Sequence, residues 1–189
     1  MKIGLFFGSF NPMHIGHKII ASYMAKFSDL AKIMFIVSPQ NPLKKKQSLL
    51  DQHYRLKIIK MEVEGSSKFQ VSDIEFSMPQ PSYTIDTLVR LKEKNPKIEY
   101  SLIMGADNFQ NFHKWKNYQQ ILEDYSIYVF PRSGFEINGI HKNIDIVKDV
   151  PKMEISATFI RNSIKGGKDV SCLMPEKAWK YTDKMNFYK

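Results

Sequence analysis

The chain has 189 residues, 43% of them hydrophobic and 13 of them Phe, enough to fill one packed core and to exclude wholesale disorder. Its single cysteine, Cys172, excludes an internal disulfide and a cysteine-based structural zinc site, and it agrees with a reducing, cytoplasmic setting. A net charge of +9 favours anionic partners such as nucleic acid, anionic lipid or phosphorylated small molecules, while the short apolar run up to Gly8 suits neither a signal peptide nor a membrane span.

In chain order, residues 2–7 (KIGLFF) predict a buried strand, then a turn and a helix over about 16–28. Residues 32–38 (KIMFIVS) predict a second strand, followed by the polar loop 39–47 (PQNPLKKKQ). Ser48 and Asp51 offer the start of a helix that Gly65 ends. A strand over 69–76, a helix over about 84–94 and a strand over 99–104 follow. A helical stretch over about 107–122 leads to a strand at 125–130. The remainder predicts a short strand near 152–155, a helix over about 158–165 and a last helix after Pro175. Strands alternating with helices point to an α/β, Rossmann-like, doubly wound parallel sheet with helices on both faces. We expect residues 1–189 to form a single domain, with 155–189 as a small C-terminal helical subregion.

In such sheets ligands bind outside the carboxyl ends of the strands. The unusual residues collect there: Gly8 to His17, Asn41 to Lys46, Ser82 to Thr87, Gly105 to Asp107 and Ser156 to Arg161. In "GSFNPMHIGH" a glycine turn lets backbone approach a ligand, and His14 and His17 fall on one side of a helix start, where amides and dipole favour an anion. The pattern is neither GxxxxGK[ST] nor GxGxxG, and no third ligand supports a metal. Two ordinary loop histidines are the bland alternative. At the far end, "ISATFIR" puts Ser156 and Thr158 at a helix start and Arg161 a turn later; alone it also reads as an ordinary capped helix.

Together these stretches resemble the two motifs of the nucleotidylyltransferase superfamily, HxGH at His14-Ile15-Gly16-His17 and ISSTxIR at 155–161. The matching glycine of many members is Phe7 here, and one of their serines is Ala157. "PSYTIDTL" (81–88), "MGADN" (104–108) and Trp115 in "FHKWKNY" narrow the resemblance to bacterial nicotinate-nucleotide adenylyltransferases. On residues alone, Thr84 and Asp107 also suit plain helix caps, and Trp115 a core position.

The resemblance implies transfer of AMP from ATP to nicotinate mononucleotide, giving nicotinate adenine dinucleotide and pyrophosphate in NAD biosynthesis, with Mg²⁺ carried by the ATP. It implies His14, His17 and Arg161 as catalytic residues. ATP would meet Gly8, Ser9, Phe10, His17, Gly105, Asp107, Arg132, Ile155, Ser156, Thr158 and Arg161. The acceptor would meet Lys44, Ser82, Tyr83, Thr84 and Trp115. No nucleic-acid or membrane partner is implied, and the chain would act as a monomer or homodimer. The nearest alternative is phosphopantetheine adenylyltransferase or another nucleotidylyltransferase. A different class, a basic nucleic-acid-binding module, is suggested by charge and aromatics but has no motif behind it.

Overall fold

The computed structural model describes residues 1–39, 49–137, 141–151 and 153–189; Lys44 lies outside them. Among the described residues six strands form one parallel sheet: β1 (Lys2–Gly8), β2 (Lys32–Val37), β3 (Phe69–Ser72), β4 (Glu99–Gly105), β5 (Ile127–Phe130) and β6 (Ile144–Ile146). Their order is β3-β2-β1-β4-β5-β6, so the winding reverses between β1 and β4. That reversal opens a crevice at the carboxyl ends of the two strands. The helices are α1 (Ile15–Phe27), α2 (Gln52–Val63), α3 (Thr84–Lys94), α4 (Ala106–Phe109), α5 (Tyr118–Asp124), α6 (Ala157–Lys165) and α7 (Glu176–Lys184).

The sheet is apolar on both faces because successive strand residues point to opposite sides and both sides are covered. Leu5 and Leu102 face the cluster that holds Ile85 and Leu88 of α3. Phe6 and Ile103 face the other, with Ile20 and Met24 of α1, Ile58 and Ile59 of α2, and Ile160 and Ile164 of α6. Ala178 of α7 joins that second core, so the C-terminal helices are tied to the sheet rather than appended. Asp51 caps α2 by accepting the His53 N–H at 2.8 Å, and Gly65, at φ +77°, takes the left-handed position beyond its end. Among the described residues no helix is long and apolar enough to cross a membrane.

Three expected elements differ. The strand expected over 69–76 stops at Ser72, whose Oγ accepts the Ile74 N–H at 3.2 Å and turns the chain into a 3₁₀ segment at Ile74–Ser77. The helix expected over 107–122 breaks into α4, a 3₁₀ turn at Phe112–Lys114, and α5. Phe109, Phe112, Trp115 and Tyr118 all pack on one core, and their spacing of three suits 3₁₀ rather than α geometry. No strand occupies 153–155. The edge strand is β6, and Met153 to Ile155 instead line the crevice.

Candidate active site

The loop from β1 to α1 is held in a strained shape. Phe10 has φ +45°, outside the comfortable range of an L residue, and its ring is buried edge-on against Phe35 at 5.6 Å and His17 at 5.0 Å. A Cβ on Gly8 would come 2.9 Å from the Phe10 ring, so that position must be glycine for the loop to fold back on itself. Phe7, by contrast, is ordinary extended β1 backbone, in register with Ile36; the resemblance's missing glycine is not needed there.

A buried cation locks this loop. Arg55 of α2, only 1% exposed, donates to the carbonyls of Ser9 at 2.6 Å, Ser38 at 2.8 Å, Pro39 at 2.9 Å and Leu50 at 2.8 Å. Burial pushes the guanidinium down to about 10, so it still carries its charge at neutral pH. Sequence reasoning missed Arg55. The available signal was a charge set beside Leu56, Ile58 and Ile59 on the apolar face of α2.

His14 occupies the cap position of α1 and is 4% exposed; its ring stacks on that of His17 at 3.7 Å. His17 Nδ1 accepts the His14 backbone N–H at 3.2 Å, which puts the proton of a neutral His17 ring on Nε2, a donor in the crevice wall. His14 Nδ1 is buried without a hydrogen-bond partner. Burial, with the Arg132 charge adding to it, pushes the His14 imidazole down to about 4, so the ring is neutral at pH 7.

The second motif, at 155–161, also reaches this crevice. Ser156 caps α6, accepting the Phe159 N–H at 3.1 Å, and lines the crevice with Ile155 and Ala157. Thr158 and Arg161 do not line it themselves. Arg161 reaches across to donate to the Asn11 carbonyl at 2.7 Å and to Thr158 Oγ1 at 3.2 Å, joining the two motifs directly.

At the start of α3, Tyr83 holds the cap position and Thr84 is the first helical residue, so Thr84 is not the cap that its spacing also suited. Glu75, 2% exposed, organises this turn: its carboxylate accepts Ser82 Oγ at 3.0 Å and Thr87 Oγ1 at 2.8 Å. Burial raises the Glu75 carboxyl, against the pull of those hydroxyls. Sequence reasoning missed Glu75 because an acid next to strand-like apolar residues reads as surface. Trp115 is half-buried against Phe112 at 5.5 Å and lines the crevice. Gly105 caps α4, and Asp107 is its second residue rather than the cap. A Cβ at Gly105 would run into the Asp107 carboxylate. Arg132 Nε approaches that carboxylate at 3.8 Å without a hydrogen bond.

The crevice is one cleft of about 830 Å³. Besides the one-turn α4, three longer helices open their N-termini into it, α1 at His14 and His17, α3 at Ser82 to Thr84 and α6 at Ser156 and Ala157. Each brings unpaired amides and a positive dipole end, so an extended ligand with several anionic groups fits it. Among the described residues no group of three or more His, Cys, Asp or Glu is placed to hold a metal ion.

Comparison with known proteins agrees in two steps. Residues 5–163 match the cytidylyltransferase-like family model, which defines the class of nucleotidyl-transfer fold. A Flavobacterium johnsoniae protein named "Probable nicotinate-nucleotide adenylyltransferase" is 53% identical over 193 residues, covering 100% of both chains. One of the same name from Bacteroides fragilis is 41% identical, covering 95% of this chain and 90% of its own. The chain belongs to the nicotinate-nucleotide adenylyltransferase family. Its fold is shared with the Plasmodium falciparum nicotinic acid mononucleotide adenylyltransferase complexed with NaAD, at TM-score 0.82 and 18% identity over 99% of this chain and 97% of that one.

Proposed function

We propose that this chain joins AMP from Mg²⁺-bound ATP to nicotinate mononucleotide, in the cytoplasm, releasing pyrophosphate. The observation that carries this reading is the convergence of three helix N-termini and two stacked histidines on one cleft. A phosphate oxygen of the acceptor attacks the α-phosphorus of ATP. The new P–O bond forms as the bond to the β-phosphate breaks, and the electron pair leaves on pyrophosphate. Such a displacement needs alignment and charge stabilisation rather than a protein nucleophile.

In this reading the His17 Nε2–H and the His14 ring donate to the phosphate oxygens on which charge builds. Gly8, Ser9 and Phe10 hold the nucleotide from the β1 end. Ile155, Ser156 and Thr158 take the β- and γ-phosphates with the α6 amides, and Arg161, held on the Asn11 carbonyl, adds its positive charge behind them. Gly105 and Asp107 hold the ribose, with Arg132 beside the adenine. Tyr83 and Thr84 meet the pyridine carboxylate through α3 amides, Ser82 is held for them by Glu75, and Trp115 stacks on the ring. Mg²⁺ is part of the substrate, carried on phosphate oxygens and water. Residues 1–189 work as one domain, with 155–189 supplying the phosphate end.

The test incubates the protein with ATP, Mg²⁺ and either nicotinate or nicotinamide mononucleotide and follows pyrophosphate. Release with nicotinate mononucleotide, faster than with the amide, is expected. No release with either acceptor would overturn the reading; equal rates would overturn only the nicotinate preference.

A further inference from the structure

We infer that Tyr188 is a positioning residue for the phosphate cradle, acting through Asn11 on both of its motifs. The tyrosine lies 177 positions from Asn11, yet its hydroxyl donates to Asn11 Oδ1 at 2.8 Å. The same oxygen accepts the Leu50 N–H at 3.1 Å, and the Asn11 backbone carbonyl accepts Arg161 at 2.7 Å. Asn11 is 3% exposed. It therefore ties together the segment after α7, the segment before α2, the histidine loop and the α6 motif.

The segment that carries Tyr188 is built, not frayed. Asn186 and Tyr188 have φ of +54° and +70°, and a tyrosine adopts that region only where surrounding contacts impose it. Those contacts are Phe187 on Tyr54 at 5.0 Å and on Tyr181 at 5.8 Å. Upstream, Glu62 of α2 accepts the Ala178 N–H at 2.9 Å and fixes the start of α7. Burial raises the Tyr188 phenol, with the Arg161 and Arg55 charges opposing, so the hydroxyl keeps the proton it donates.

The loop needs such a clamp. Phe10 is strained, and strain persists only where neighbours over-determine it. Arg55 pins the loop at Ser9 on one side of Phe10, and Asn11 pins it on the other. Loosening Asn11 lets Phe10 relax, and the His17 ring that packs on Phe10 moves with it. The loss falls on the transition state, where the histidines act, more than on ground-state binding.

The inference rests on the adenylyltransferase reading for its kinetic arm, and Tyr188→Phe tests it. This variant keeps the ring and removes one hydroxyl. We expect kcat to fall about 5- to 10-fold, with KM for ATP and for nicotinate mononucleotide within about twofold, the scale of one buried hydrogen bond. Amide exchange across residues 8–17 should quicken by a similar factor while β4 stays protected. Unchanged kcat and unchanged exchange at 8–17 would overturn the inference, as would an equal quickening in β4, which marks a global loss of stability. If the native chain itself fails to turn over, the adenylyltransferase reading falls, and exchange at 8–17 alone decides the role of Tyr188.

Discussion

At the amino ends of the strands, a polar cluster is fully matched: Lys2 donates to Tyr128 Oη at 2.8 Å and to Asp29 at 3.0 Å, while Tyr128 donates to Asp29 in turn. At the carboxyl ends, His14 Nδ1 and Arg132 Nε are buried without hydrogen bonds, and Phe10 holds a left-handed backbone. Both clusters are polar, and both sit on the same sheet. The first needs nothing further and contributes stability. The second leaves desolvated nitrogens and strain that folding alone does not explain, and a polar ligand would satisfy it. Single orphan hydroxyls occur elsewhere, at Ser101 and Thr182, but only in the cleft do two unpaired nitrogens and a strained loop fall together among the described residues.

That contrast breaks most visibly at His17. We expect His17→Ala to lower kcat/KM by at least about 10²-fold, because in the proposed mechanism it removes a donor to the developing charge. The fold, anchored elsewhere, loses only on the order of 1 kcal/mol for the missing cap to the His14 N–H. Steady-state pyrophosphate release beside urea unfolding measures both; a near-native rate would remove the functional half of the comparison.

A smaller effect is expected from acid. The folded His14 value of about 4 lies below its ordinary 6.5, so between those values the unfolded chain binds a proton that the folded chain refuses. Stability therefore rises with pH across that window and is lost as pH falls. From pH 7 to 5 the loss integrates to about 2 kcal/mol. Unfolding curves of native protein and His14→Gln should diverge by that amount, with the slope absent from the variant. Parallel curves would mean that His14 is not held neutral by its surroundings.

The alternating strands, the winding and the two phosphate motifs were legible because each leaves a local mark: apolar runs, a glycine turn, hydroxyls at a helix start. The breaks were less so. The 109–118 segment follows a three-residue aromatic spacing that competes with helix period, and Ser72 ends β3 with a hydrogen bond that no pattern announces. In the cleft, His14, His17, Ser156 and Trp115 were legible, since motif and position coincide. Asn11, Arg55, Glu75 and Tyr188 were not read as supports. Arg55 pairs with backbone carbonyls, and Asn11 and Tyr188 pair across most of the chain, so those bonds exist only once the sheet has formed; Glu75 meets Ser82 and Thr87 across a turn that no pattern announces.

The smallest effect should come from the satisfied cluster, and it sharpens the contrast from the other side. Tyr128 is buried, and burial followed by its bond to Asp29 pushes the phenol up to about 12, so it donates at any neutral pH. Burial opposes the charge of Lys2, but Tyr128 and Asp29 outweigh it and hold the ammonium above its usual range. Tyr128→Phe keeps the ring packing and removes only the hydroxyl. Lys2 retains Asp29 at 3.0 Å and Glu99 at 3.8 Å, so no charge is stranded. The expected cost is about 1 kcal/mol of stability, with pyrophosphate release unchanged. A variant that lost turnover without losing stability would show that the amino end of the sheet also shapes the cleft, and the division between a structural end and a ligand end would fail.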